Sequence, residues 1–239
     1  LANSYIKPDQ LNRMEPFYPL HVYVCEKCLL VQLKQFAAPH DIFSDYAYFS
    51  SFSDSWLAHA KAYVDMIVGR FGLDRSSKVV EIASNDGYLL QNFVSRGIPV
   101  LGVEPASNIA EVAKKTALDL TADGWCADLI IGNNVLAHVP DLNDFVKGLK
   151  VLLKPTGLIT MEFPHLLQLM QQNQFDTIYH EHFSYFSFLA VEQVFARHGM
   201  TLFDVEELST HGGSLRIYAC HHDDTSKPVQ ARAKELKSR

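Results

Sequence analysis

From Lys78 onward, short apolar runs alternate with stretches of helical periodicity, and the spacing predicts a repeated strand, loop and helix. Val79–Ile82, Val100–Val103, Asp128–Ile131 and Gly157–Glu162 read as strands. Tyr88–Arg96, Ser107 to about Lys115 and Leu142–Leu153 read as the helices between and after them. Alternation of this kind builds a parallel sheet wrapped by helices, with ligands at the carboxyl ends of the strands. Phe188–His198 reads as a further helix ending at Gly199, and Thr201–Val205 with Ser214–Cys220 as an antiparallel pair that closes the sheet. The predicted class is α/β, a doubly wound Rossmann-like sheet.

Upstream the pattern changes. His21-Val22-Tyr23-Val24 alternates, Cys25-Glu26-Lys27-Cys28 follows, and Leu29–Leu33 returns to an apolar run among Pro8, Pro16, Pro19 and Pro39. Two short strands joined by Cys-x-x-Cys read as a zinc-ribbon-like appendage, with Cys25 and Cys28 as metal ligands. A closed structural zinc site takes four ligands, so Cys25 and Cys28 form half of one. The other half either precedes Leu1 or comes from His21 and His40; Cys126 and Cys220 have no partner at a suitable spacing. Residues 41–52 are aromatic and Ser-rich, and Ser53–Arg70 has helical periodicity through Trp56, Ala60, Tyr63, Val64 and Ile67. The sequence opens at Leu1 rather than Met and closes on the polar, helix-like Gln230–Arg239, so it reads as part of a longer protein with a truncated carboxyl-terminal region.

Composition narrows the function classes. A length of 239 residues allows one large domain with a small addition, and 48% apolar content is that of a folded chain. A net charge of −6 without a basic stripe argues against nucleic acid as a partner. No apolar run reaches the roughly 20 residues of a bilayer span, and there is no signal-peptide pattern. Four cysteines, two of them in one Cys-x-x-Cys, argue for a reducing compartment, hence a cytoplasmic protein.

The candidate chemistry sits at strand ends. Glu81-Ile82-Ala83-Ser84-Asn85-Asp86-Gly87 has the layout of an S-adenosylmethionine loop, an acid on the strand followed by a tight turn. Ala83 and Asn85 stand where glycines are usual; both are small, and Asn tolerates positive φ. Glu104, with Pro105 behind it, ends the second strand about 20 residues on, placed to accept hydrogen bonds from ribose hydroxyls. A dinucleotide would instead favour a glycine-rich loop whose amides meet pyrophosphate, and Asp86 would oppose that charge. Asn133 and Asn134 follow the third strand near the cofactor, and His138 sits at the mouth where a substrate lies. His165 ends the next strand and His211 joins the last two; both are candidates for substrate contact beside plain turn roles.

The densest cluster is Tyr179-His180-Glu181-His182. Proton abstraction from carbon needs a neutral imidazole whose tautomer is fixed and whose charged form is stabilised, and Tyr and Glu beside His supply both. A cofactor loop plus a positioned base points to an enzyme.

These motifs resemble the S-adenosylmethionine-dependent sugar C-methyltransferases of deoxysugar biosynthesis. The likeness runs through Tyr18-Pro19-Leu20, Cys25–Leu33, Tyr48-Phe49-Ser50-Ser51, Glu81–Gly87, Gly132–Asp141, Tyr179–Tyr185 and His211–Arg216. It implies a partial zinc-binding domain over 1–40 and a linker over 41–77 forming part of the active site. A methyltransferase domain over 78–220 and the start of a truncated carboxyl-terminal domain over 221–239 follow. It implies His182 as general base, with Tyr179, Glu181 and His138 around a nucleotide-linked keto sugar, and His138 or Tyr179 donating to the enolate oxygen. Tyr48 would close the site with Ser51 beside it, and Glu104 would hold the ribose. Three features depart from the family: the first cysteine pair is absent, Lys115–Ala127 is too short for the usual strand and helix, and the second half of the family's carboxyl-terminal domain is missing after Arg239. The alternatives are O- or N-methylation of a small metabolite, and a cofactor-binding module without turnover.

Overall fold

The computed structural model describes residues 6–38, 42, 50–103 and 120–238. A hairpin of β1 (Val22–Val24) and β2 (Val31–Leu33) opens the chain, followed by α1 (Asp54–Phe71). Then come β3 (Val79–Ile82), α2 (Gln91–Val94), β4 (Val100–Val103), β5 (Ala127–Asn133) and α3 (Leu142–Leu152). The remainder is β6 (Leu153–Pro164), α4 (Leu166–Gln171), β7 (Ser184–Tyr185), α5 (Phe188–Arg197), β8 (Met200–Leu208), β9 (Ser214–His221) and α6 (Ala231–Lys237).

Among the described residues six strands form the main sheet in the order β4-β3-β5-β6-β9-β8, parallel from β4 to β6, with β9 antiparallel to both β6 and β8. The predicted Rossmann-like class is observed. Alternation along β5 divides the core into two faces. Leu129 and Ile131 join Val64, Ile67 and Phe93 on one side; Ile130 joins Val146, Ile159 and Phe195 on the other. All nine are fully buried, as strands covered on both faces require.

Helix α1 is held at both ends. Ser53 Oγ accepts the Trp56 amide at 3.3 Å, and Gly72 closes the helix in the left-handed region at φ 64°. Its spacing sets Trp56, His59, Tyr63 and Arg70 along one face, over the sheet. Tyr63 Oη lies 2.6 Å from Thr160 Oγ1, and Arg70 pairs with the fully buried Asp204 on β8. Asp204 also receives Arg232 Nε of α6 at 3.1 Å, so one carboxylate ties two helices to the sheet edge.

Three differences from the sequence reading have physical causes. The helix expected over Tyr88–Arg96 is regular only over Gln91–Val94, because Tyr88, Leu89 and Leu90 are buried in the turn leaving the β3 loop. The strand expected over Gly157–Glu162 runs from Leu153 to Pro164. The amino-terminal hairpin is not free-standing: β2 also pairs with β7, Gln32 against Ser184 and Val31 against Tyr185. The helix expected over Ser107–Lys115 lies outside the described residues.

Candidate active site

The loop after β3 is built from left-handed residues. Ala83, Asn85 and Gly87 have φ of 56°, 48° and 79°. Alternating positive φ folds the chain back across the ends of β3 and β4, and Gly102 on β4 lets it come close. A Cβ there would lie 2.5 Å from Ser84 Oγ. Glu81 is buried within β3, beside Gly102 in register. Asp86 is drawn below the usual carboxylate range; burial pushes it up, but hydrogen bonds from Ser51, Tyr88 and its own amide outweigh that. Ser51 donates its amide to Asp86 Oδ2 at 3.1 Å, and Ser50 donates to Asn85 Oδ1 at 3.1 Å. Ser51 therefore sits against the loop after β3, not among the histidines.

At the end of β5, Asn133 Nδ2 and Asn134 Oδ1 are buried without a hydrogen-bond partner. Asn134 is left-handed at φ 55°. Buried polar atoms need partners, so these two mark a place for a polar ligand across from the Ala83–Gly87 loop. The loop, the close approach at Gly102 and the two asparagines fit S-adenosylmethionine. Glu104, Pro105 and Tyr48 lie outside the described residues.

The residues of the predicted catalytic cluster are brought together. The Tyr179–His182 turn is closed by the His182 amide on the Tyr179 carbonyl at 3.0 Å. His182 Nδ1 lies 2.9 Å from the Thr177 carbonyl, and Nε2 lies 3.0 Å from Tyr179 Oη. A carbonyl only accepts, so Nδ1 carries the proton and Nε2 the lone pair, which takes the Tyr179 hydroxyl. His138 Nδ1 likewise donates to the Glu181 carbonyl at 2.9 Å, and the Phe183 amide donates to Ala137 at 2.7 Å. The two imidazoles stand 4.7 Å apart between centroids. Burial pushes His138 down to about 4. Burial, reinforced by His138 and His211 and opposed by Thr177, pushes His182 down to about 3. Both are neutral at pH 7.

One expectation changes here. With its proton on Nδ1, neutral His138 presents a lone pair at Nε2, so it is no hydrogen-bond donor to an enolate oxygen. Glu181 is buried and reaches His138 through its main-chain carbonyl.

His211 is left-handed at φ 50°, edge-on to Trp56 at 5.4 Å, and near enough to His182 for their positive charges to repel. His165 is buried with Nδ1 unpartnered. Its amide donates to Gly213, and its charged neighbour is Glu207. Among the described residues no hydrogen bond or ring contact joins it to the histidine pair.

Sequence reasoning passed over the polar group beneath the site. Glu162, fully buried, accepts from His59 Nε2 at 3.0 Å, Thr210 Oγ1 at 2.9 Å and Arg216 Nη2 at 2.7 Å. His59 stacks on Trp56 at 4.9 Å. The one available signal was a histidine on the apolar face of α1, three residues from Trp56 and four from Tyr63.

Cys25 and Cys28 occupy a tight knuckle in which the Cys25 amide donates to Leu30 and Leu29 is left-handed at φ 59°. Amides of Cys28 and Lys27 draw the Cys25 thiol below its ordinary range. The pair fits half of a tetrahedral zinc site; among the described residues no group of three or more His, Cys, Asp or Glu could hold a metal. No described helix is long and apolar enough to cross a membrane.

A family described as a methyltransferase domain matches residues 56–205, and one described as a proposed zinc-binding domain matches residues 1–43. C-methyltransferase NovU of Streptomyces niveus is 38% identical over 232 residues, 92% of this chain and 55% of that protein. The chain thus spans about half the length of this curated relative. The ubiquinone biosynthesis O-methyltransferase of Bartonella bacilliformis is 30% identical over 96 residues, covering 34% of this chain and 39% of that protein. Among solved structures, the Burkholderia thailandensis 1,6-didemethyltoxoflavin-N1-methyltransferase, bound to S-adenosylhomocysteine, superposes with a TM-score of 0.56 at 16% identity. That match covers 84% of this chain and 98% of that one. The PH0226 protein of Pyrococcus horikoshii gives a TM-score of 0.55 at 15% identity, covering 76% and 98%.

Proposed function

We propose, on the premise that this chain belongs to the methyltransferase-domain family, that it methylates the carbon beside the ketone of a nucleotide-linked keto-deoxysugar. The likeness to NovU along 92% of the chain supports carbon as the acceptor. The motifs shared with sugar C-methyltransferases support the sugar. The observation that carries the reading is a buried, neutral His182 with Nδ1–H held by Thr177 and Nε2 meeting the Tyr179 hydroxyl.

S-adenosylmethionine, when bound by the Ala83–Gly87 loop, Asn133 and Asn134, supplies an electrophilic methyl group. The ketone acidifies the neighbouring C–H. Tyr179 oxygen takes that proton as its own moves to His182 Nε2, and Thr177 steadies the imidazolium through Nδ1–H. The carbon–hydrogen pair becomes the enolate, and the imidazolium one hydrogen bond away offsets its charge. Holding cofactor and acceptor in fixed orientation would supply much of the remaining acceleration. Cys25 and Cys28 would hold zinc in a structural role outside this chemistry. The setting we infer is the cytoplasm.

Incubation with methyl-labelled cofactor and a panel of nucleotide-linked keto sugars tests the reading. Label that survives acid hydrolysis on the sugar skeleton supports a new C–C bond. Label recovered only on oxygen or nitrogen would favour the O- or N-methyl reading. Absence of cofactor binding by calorimetry would favour a module without turnover.

A further inference from the structure

His211 sits in a conformation that an isolated histidine avoids. Positive φ costs a β-substituted residue about 1–2 kcal/mol, and such a residue persists only where its surroundings over-determine it. Here they do. The Thr210 hydroxyl donates to Glu162 Oε1 at 2.9 Å, the Gly213 amide to the Thr210 carbonyl at 2.9 Å, and Ser214 Oγ to that same carbonyl at 2.9 Å. Gln174 Nε2 closes the far side on the Gly212 carbonyl at 2.8 Å, where a Cβ on Gly212 would lie 2.3 Å from that nitrogen. Gln174 immediately precedes the Phe175–Thr177 turn that presents the Thr177 carbonyl to His182.

Glu162 is the anchor of this arrangement and of one more. Its carbonyl accepts the Asn134 amide at 2.7 Å, and Asn134 is the left-handed residue that follows β5 on the cofactor side. One residue therefore pins two left-handed turns, one through its side chain and one through its main chain. The carboxylate is held in place by three donors from three elements: His59 on α1, Thr210 before β9, and Arg216 on β9. Arg216 is in turn braced by Glu206 Oε2 at 3.2 Å and by the face of Tyr63 at 4.6 Å. His59 carries the stacked Trp56 indole to the edge of His211.

We propose that Glu162 is a positioning residue for methyl transfer. Through Thr210 it holds His211 beside the His138–His182 pair, and through its carbonyl it fixes the Asn134 turn. This deepens the function proposed above and rests on it for its catalytic consequence. Glu162, fully buried, acts through these links: it keeps the acceptor side and the cofactor side in fixed register. His211, so held, forms a wall of the acceptor pocket with Trp56.

The test uses the full chain with histidine labelled at Cε1, observed by NMR, together with turnover. Thr210→Val removes only the hydroxyl link and leaves the Glu162–Arg216 pair intact. The His211 resonance should move and its titration midpoint rise toward the ordinary imidazole value. Affinity for S-adenosylmethionine should stay within about threefold by calorimetry, since the Asn134 link is untouched. Transfer to a nucleotide-linked keto sugar should fall roughly tenfold to a hundredfold in kcat. Thr210→Ser should restore both. An unmoved His211 signal in Thr210→Val, a Thr210→Ser variant as impaired as Thr210→Val, or a moved signal with unchanged kcat would each overturn the proposal. If the wild-type chain methylates no keto sugar, the function reading fails, while the NMR comparison still decides whether Glu162 positions His211.

Discussion

His138 and His182 face each other at 4.7 Å between ring centroids, and each gives its Nδ1–H to a main-chain carbonyl, Glu181 and Thr177 respectively. Both rings thus leave Nε2 unprotonated, and that of His182 takes the Tyr179 hydroxyl at 3.0 Å. His182→Asn should lower transfer by about 10²–10⁴, the usual contribution of a positioned base. Its affinity for S-adenosylmethionine should hold within about threefold by calorimetry. Unchanged turnover would reject His182 as the acceptor of the Tyr179 proton.

Proton removal should be visible without the methyl donor. Wild-type chain in deuterated water should exchange the acidic hydrogen of a keto-sugar acceptor, and Tyr179→Phe should exchange it far more slowly. Equal exchange in the two, followed by mass spectrometry, would remove Tyr179 from the proton path.

Acid should weaken the fold well above the carboxylate range. In the unfolded chain a histidine titrates near 6.5, whereas burial holds His138 at about 4 and His182 at about 3. Between these values the unfolded state binds protons that the native state refuses. The stability contributed by the neutral pair is therefore complete above pH 6.5 and is lost as pH falls toward 4 and 3. At pH 5 the loss is about 2 kcal/mol per histidine. Burial shifts His165 and His211 in the same direction. Urea midpoints at pH 7 and pH 5 measure this, and the difference should shrink in His138→Asn/His182→Asn. Equal wild-type midpoints would contradict the burial of the pair.

The β3 loop makes opposite predictions at two small residues. Gly102→Ala puts a methyl 2.5 Å from Ser84 Oγ and 2.9 Å from Ser84 Cβ. The loop must shift, and cofactor affinity should fall about tenfold, or ~1.4 kcal/mol. Ala83→Gly instead removes the cost of a left-handed Cβ at φ 56° and should raise stability by about 0.5–1 kcal/mol after the extra freedom of glycine is counted. Calorimetry and thermal melts check the two; a tight-binding Gly102→Ala would mean the loop carries no ligand.

The parallel strands were readable because their signal is local. Val79–Ile82 and Val100–Val103 fall where their apolar runs end, and α5 stops before Gly199, within a residue of its expected limit. Strand β7 was missed because two residues, Ser184 and Tyr185, become a strand only through partners at positions 31 and 32. The Glu162 group was missed for the same reason. Its donors come from positions 59, 210 and 216, and no spacing rule connects them. The quartet itself was legible, yet the tautomer of His138 was not, since it depends on where the Glu181 carbonyl points.

Leu33 offers a handle on the junction between hairpin and site. Its amide donates to the Phe183 carbonyl at 3.1 Å, and its side chain is buried with Leu169 and Tyr185. Leu33→Pro removes the donor one residue from His182. Transfer should fall about tenfold from the displaced imidazole while cofactor affinity is kept. Full activity in that variant would separate the hairpin from the chemistry.

His180 shows why that junction matters. While His182 points inward, the neighbouring His180 gives Nε2–H to the Pro19 carbonyl at 3.1 Å and lies edge-on to Tyr18 and Phe36. Swapping the first forty residues for those of a relative would leave that ring and β7 facing a foreign surface. Chimeras should therefore work when the 177–186 stretch travels with its own hairpin, and fail when the crossover falls between them.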